Sequence, residues 1–204
     1  MDIQKIISES LENSFTYNEY RSLVTNLLKD GKSTGNEQSE ALTHYSSLNE
    51  VRMNRLDKTL QMLPETIGNL SKLQNEIIGL VITEGWCGDA AQIVPMFNKM
   101  EQANTQLKFR YVLRDENEAL MDQFLTNGSK SIPKLILIDA KSSEIVGVWG
   151  PRPQGALNLI LDYKATHGKI DETAKTNLQK WYLQDKGISI QREIMEMLAQ
   201  PIVV

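Results

Sequence analysis

The sequence predicts an α/β fold in which a mixed four-stranded sheet carries helices on both faces and is extended by helices at its N- and C-terminal ends. Three observations predict this fold. Four short apolar segments, rich in β-branched residues, have the character of strands. Most of them are separated by segments whose apolar residues recur every three or four positions, as in amphipathic helices. A short, turn-rich link joins the last two strands, which predicts a hairpin and an antiparallel pair.

The first 64 residues are predicted to be helical throughout. Thr16 has the position of an N-cap in a capping box, and Gly31 would end the helix that Thr16 begins. A second long helix is predicted to begin near Ser39 and to continue until a proline interrupts its pattern. We expect this N-terminal extension, residues 1–64, to pack as a cap on the domain that follows.

The next segment, residues 65–168, alternates between predicted strands and helices and forms the α/β domain. The strands are expected at residues 77–82, 107–113, 135–138 and 144–149. Helices are expected from Ala90, from Ala119 to the Asn127-Gly128 turn, and through Leu157 and Lys164. The remaining residues, 169–204, are predicted to form a second helical extension packed on the domain, with a break at Gly187.

The composition excludes several classes of function. A net charge of −4 argues against a nucleic-acid-binding protein, which would carry a basic patch. No apolar stretch approaches the roughly 20 residues that span a bilayer, and the N-terminus lacks the apolar segment of a secretory signal. A single cysteine cannot form an internal disulfide, which favours a cytoplasmic location. One cysteine and two histidines do not make up a structural zinc site, and no metal or cofactor is expected.

Cys87 is the strongest candidate for a catalytic residue. It follows a predicted strand and lies in the first turn of a predicted helix, where free N–H groups and the helix dipole would stabilise a thiolate. Gly88 would leave room for a partner, and Trp86 would shield one side of the sulfur. We therefore expect an exposed, reactive thiol. The alternative is a buried cysteine that acts only as a small hydrophobic residue.

Two further positions near this thiol allow two interpretations each. Asp89 could simply interact with the helix dipole, or it could raise the pKa of the neighbouring thiol. Ile132 and Pro133 come directly before the third strand. A proline there could merely start the strand, or it could be a cis-proline whose neighbouring backbone faces the thiol.

The segment Trp86–Pro95 resembles the active-site segment of thioredoxins, in which Trp-Cys-Gly-Pro-Cys opens a helix that a proline kinks eight residues after the first cysteine. Ser131-Ile132-Pro133 is similar to the cis-proline element of that family. The resemblance covers about half of the chain and implies a thioredoxin fold with Cys87 as the catalytic residue. The residues that would form the substrate groove are Trp86, Gly88, Asp89, Ile132 and Pro133.

The chain also departs from thioredoxins. Within the superfamily it is similar to bacterial proteins with a Trp-Cys-Gly-Asp-Ala-Ala-Gln signature, and Ala90 stands where thioredoxins have their second cysteine. Val81 stands where they have a buried aspartate that is thought to accept a proton. A two-cysteine redox cycle is therefore not expected. Arg152, between two prolines, could contact a substrate or form a surface salt bridge.

Two functions remain open from the sequence. Cys87 could carry out monothiol thiol–disulfide exchange with a disulfide-containing protein or a low-molecular-weight thiol, and an external thiol would then resolve the adduct. Alternatively, the groove near Trp86 and Pro133 could bind a protein segment without catalysis, with the extensions adding surface or forming a homodimer. A peroxidase is disfavoured because Thr83 lies four residues before the cysteine, where peroxiredoxins have a threonine three before.

Overall fold

The structure is a computed structural model that describes residues 2–199. Its four strands, β1 (Ile77–Thr83), β2 (Leu107–Leu113), β3 (Lys134–Asp139) and β4 (Ile145–Trp149), form one sheet in the order β2-β1-β3-β4. β1 and β2 are parallel, whereas β3 is antiparallel to both β1 and β4. The predicted fold class is confirmed. The strands were predictable because β1 and β3 are buried along almost their whole length and therefore consist of continuous apolar runs.

Helices surround this sheet. Four precede it: α1 (Ile3–Glu12), α2 (Tyr17–Lys29), α3 (Glu40–Thr59) and α4 (Pro64–Leu70). Three lie within the domain: α5 (Ala90–Ala103), α6 (Glu118–Met121) and α7 (Gln154–His167). Two follow it: α8 (Glu172–Asp185) and α9 (Ile188–Leu198). Within the described residues, no helix is both long and apolar enough to cross a membrane.

Two helix predictions needed correction. The helix expected to reach the Asn127-Gly128 turn is only one turn long, because the chain leaves it at Asp122 and both turn residues have positive φ values. The pattern that begins at Ser39 is helical only as far as Thr59, and Leu60 is extended although it is buried. The extended segment that follows is fixed by α9, because the buried Gln191 side chain of α9 accepts a hydrogen bond from the Leu63 N–H of this segment.

Both helical extensions pack on the sheet domain. Tyr20 of α2 stacks on Tyr111 of β2, with ring centroids 5.6 Å apart, and Phe15 forms a bridge with the same strand. On the other edge of the sheet, α9 packs against β4. The core of the domain is therefore continuous with the helices on either side of it in sequence, and α3 packs directly against α5, the helix that follows Cys87.

Candidate functional site

Cys87 lies in the loop between β1 and α5, at the end of the sheet where the backbone before Pro133 also arrives. The thiol donates a hydrogen bond to the Ile132 carbonyl oxygen, with 3.3 Å between sulfur and oxygen. The sulfur accepts a hydrogen bond from the Ala90 N–H, at 3.4 Å. The Ile132–Pro133 peptide bond is cis. The structure thus brings together the thiol, the first turn of α5 and the proline loop.

The expectation of an exposed thiol is wrong. The Cys87 side chain is buried, with 8% of its surface exposed. Burial is the largest cause that raises the pKa of the thiol to about 12, and the nearby Asp89 carboxylate raises it further. The N–H groups of Ala90 and Asp89 and the charge of Arg152 act in the opposite direction, but their effect is smaller. In this closed arrangement the sulfur is therefore a protonated thiol at neutral pH.

Asp89 is the centre of a buried polar cluster beside the thiol. One of its carboxylate oxygens is 2.6 Å from the Arg152 guanidinium, and the other accepts a hydrogen bond of 2.8 Å from the Tyr182 hydroxyl. Asp89 does not cap α5 with its side chain. Its effect on the pKa of Cys87 agrees with the second of the two sequence interpretations. Arg152 forms a salt bridge, as one interpretation held, but this bridge is largely buried at the site and does not lie on the surface.

Tyr182 belongs to α8, which covers the active-site loop. Gln179, one turn earlier on the same helix, accepts a hydrogen bond of 2.7 Å from the Gln92 amide of α5. Its own amide nitrogen lies 3.7 Å from the position that a Cβ on Gly88 would occupy. The C-terminal extension therefore contacts both Gly88 and α5, the helix that begins just after Cys87.

The N-terminal extension reaches the same loop through α3. The Asn49 amide donates a 2.9 Å hydrogen bond to the Gly85 carbonyl oxygen, and Asn49 in turn accepts a hydrogen bond from Arg52. The Arg52 nitrogen that makes this bond lies 4.0 Å from the same Cβ position on Gly88. Gly88 is only partly exposed as a result.

Sequence analysis missed four residues of this site, namely Asn49, Arg52, Gln179 and Tyr182. One signal was available, because Arg52 interrupts a series of apolar positions along α3. The residues of α8 carry no comparable signal, since α8 contacts the site only through tertiary packing.

The loop that carries Arg152 packs closely on the proline loop. Gly150 has a φ of +110°, and a Cβ at this position would overlap the Pro133 carbonyl oxygen. The Gly150–Pro151 peptide bond is also cis, which the sequence did not lead us to expect. This close contact between two backbone segments places Arg152 beside Asp89.

Trp86 lies on the other side of the loop and is partly exposed. The Arg114 guanidinium lies over its ring, 4.8 Å from the ring centroid. The neighbouring Glu84 is fully buried, and burial is the main cause that raises its pKa. Among the described residues, no group of histidine, cysteine, aspartate or glutamate side chains is arranged to hold a metal ion.

Comparison with known proteins places this geometry in a family. A family model described as thioredoxin matches residues 35–187. A crystal structure of a protein of unknown function from Pseudomonas aeruginosa has a TM-score of 0.58 at 13% identity, covering 90% of this chain and 97% of that one. An HIV epitope scaffold has a TM-score of 0.57 at 14% identity, covering 90% of this chain and 98% of the scaffold. None of the curated proteins compared with the chain matches it. The family model spans most of the chain, including all of α3 and α8, so the chain belongs to the thioredoxin family.

Proposed function

We propose that this protein carries out monothiol thiol–disulfide exchange through Cys87, and that it does so when α8 moves away from the active-site loop. The observation that carries the proposal is the contact between the Cys87 sulfur and the Ile132 carbonyl oxygen beside Pro133. A substrate disulfide bound along that backbone would present its sulfur to the thiol. A cytoplasmic, reducing environment fits a protein whose single cysteine has no internal partner.

The contacts between α8 and the active-site loop support this proposal because they include polar interactions that can break and form again. Two hydrogen bonds join α8 to the loop and to α5, from Tyr182 to Asp89 and from Gln92 to Gln179, and the Asp89–Arg152 ion pair lies beside them. A few such interactions at a partly exposed site can be broken at a cost of several kcal/mol, which is accessible to a folded domain. Moving α8 would also remove burial, the largest cause of the raised thiol pKa.

The first half of the proposed reaction needs only the protein and a substrate disulfide, and the second half needs an external thiol. The Cys87 thiol loses its proton to solvent, and the thiolate attacks one sulfur of a substrate disulfide. A bond forms between the two sulfurs, and the other half of the substrate leaves as a thiolate that takes up a proton. Ala90 offers no second sulfur, so an external thiol must attack the mixed disulfide to restore Cys87.

A second function, a non-catalytic protein-binding module, is favoured by a different observation. The thiol is buried and its pKa is raised to about 12, which is the opposite of the usual state of a reactive cysteine. On this hypothesis Cys87 only packs the loop, and the surface around Trp86 would bind a protein segment. Cys87→Ser separates the two hypotheses, because it would abolish exchange but leave such binding unchanged.

The test uses the fact that the chain has only one cysteine. The native protein is incubated with a small disulfide at about pH 8, and its intact mass is then measured before and after addition of a reducing thiol. We expect a mass increase equal to half of the disulfide, located on Cys87 and reversed by the thiol. If the chain unfolded in urea acquires the adduct and the native protein acquires none within several hours, thiol–disulfide exchange is not the function of the folded protein.

A further inference from the structure

Two nitrogen donors from different helices converge over Gly88, the residue that follows the thiol. The Arg52 guanidinium of α3 and the Gln179 amide nitrogen of α8 lie 4.0 Å and 3.7 Å from the same point above that residue. The neighbouring Asp89 carboxylate is bound by Arg152 and Tyr182, and it also attracts the Arg52 guanidinium. The surface beside Gly88 therefore presents two nitrogen donors, one of which also donates to Asn49.

Arg52 is held in place from the protein side. Asn49 is buried, donates to the Gly85 carbonyl and accepts from Arg52, so the guanidinium is fixed relative to the loop that carries the thiol. In the described part of the chain Arg52 forms no ion pair, although its guanidinium is partly buried and burial lowers its pKa. A partly desolvated guanidinium with free donors is a favourable partner for a carboxylate.

The charge near the thiol is opposite to that of the whole protein. The chain has a net charge of −4, yet Arg52 and Arg152 face a single carboxylate, that of Asp89, around Gly88. Because Arg152 already forms an ion pair with Asp89, this carboxylate offsets the charge of Arg52 only in part. An anion at this point would gain from the positive charge of Arg52.

We propose that Arg52, which α3 holds beside Gly88, binds a carboxylate of the substrate when α8 is displaced, and that the substrate is a low-molecular-weight disulfide with a carboxylate a few bonds from its sulfur. This inference rests on the proposed exchange reaction. A small substrate is favoured over a folded protein because α3, which the proposed movement of α8 leaves in place, still contacts the loop and limits access to Gly88. The carboxylate would lie beside Gly88 while a substrate sulfur reaches Cys87.

The test compares two chromogenic disulfides of similar size, the dianionic dithiobis(nitrobenzoate) and the neutral dithiodipyridine. Each rate with the native protein is divided by the rate with the same chain unfolded in urea, which removes the intrinsic reactivity of the reagent. Movement of α8 slows both reagents alike, so the quotient of the two normalised rates reports charge preference. We expect this quotient to favour the anionic reagent in wild type, and less so at high salt.

Arg52→Gln should lower the quotient about tenfold, which is the effect of one charge-assisted hydrogen bond. Arg52→Lys should restore part of it. The matched control is Arg55→Gln, which removes the same charge from an exposed residue one turn further along α3 and should change the quotient less than about twofold.

The outcomes distinguish this inference from the function on which it rests. If the native protein reacts with both reagents but Arg52→Gln and Arg55→Gln have equal effects, or none, the carboxylate site is wrong and exchange stands. If the native protein reacts with neither reagent while the unfolded chain reacts with both, exchange is wrong and the substrate proposal is wrong with it.

Discussion

The buried thiol makes a quantitative prediction about the rate at which Cys87 reacts. With its pKa raised to about 12, about one thiol in 10,000 is ionised at pH 8, against about one in four for an ordinary cysteine of pKa about 8.5. The ratio of these populations is about 2,400. A thiolate of higher pKa is a better nucleophile, and a Brønsted coefficient of about 0.45 gives back a factor of about 40. Native Cys87 should therefore exchange at least about 60-fold more slowly than the unfolded chain.

The assay follows release of the chromophore from dithiodipyridine between about pH 8 and pH 10, with the native protein and with the same protein in urea. Every signal comes from Cys87, because it is the only cysteine. The unfolded rate should level off above about pH 9, whereas the native rate should continue to rise tenfold per pH unit. The gap between them should therefore shrink about 25-fold over this range. A native rate that levels off near pH 8.5 and equals the unfolded rate would refute the assignment of a buried, protonated thiol.

Three further changes test the cover, the thiol and the loop beneath it. Tyr182→Phe removes one hydrogen bond to a buried carboxylate, which contributes about 1.5 kcal/mol, and should therefore speed exchange by the native protein about tenfold. Tyr17→Phe is the control, because it removes a similar hydrogen bond on the other side of α3 and should leave the exchange rate unchanged. The free energy of unfolding of the wild type should fall by about 2 kcal/mol between pH 7 and pH 10, as measured by urea unfolding. Cys87→Ala should abolish this fall. The sign follows because the folded pKa is the higher one, so this stability is complete below about pH 8.5 and falls as the pH rises toward 12. Gly150→Ala should lower the melting temperature by several degrees, because its Cβ meets backbone, whereas Gly68→Ala, on a helix with open space around it, should leave it unchanged or raised.

The sheet could be predicted from the sequence because its signals are local. β2 is predicted at its observed residues, 107–113, since its apolar and polar residues alternate, and β1 and β3 differ from prediction by one residue at each end or less. The one-turn helix α6 was overestimated because Leu120, Phe124 and Leu125 fit a helical period that the chain does not continue. Pattern alone cannot tell a buried turn from a buried helix of this length.

The site divides in the same way. Cys87, Asp89 and Pro133 belong to short motifs, and the structure brings them together. Tyr182, in contrast, bonds to a residue 93 positions away, and Gln179 to one 87 positions away. Neither the residue type nor the position of Tyr182 or Gln179 in the sequence predicts such a contact. The burial of the thiol results from tertiary packing, so it could not be predicted from the loop that carries it.

Burial of the sulfur, and not the Trp-Cys-Gly motif, decides whether the Cys87 thiol is protonated. A helix N-terminus stabilises an anion by about 2 kcal/mol at most, whereas a pKa of about 12 in place of about 8.5 corresponds to almost 5 kcal/mol against the thiolate. The dipole of α5 therefore cannot produce a reactive sulfur while the thiol stays buried. The helices that contact the loop also carry Arg52 and Gln179, whose nitrogens lie beside Gly88. The proposed function therefore assigns the control of access to α8 and the binding of the substrate charge to α3, which makes these helices part of the proposed active site.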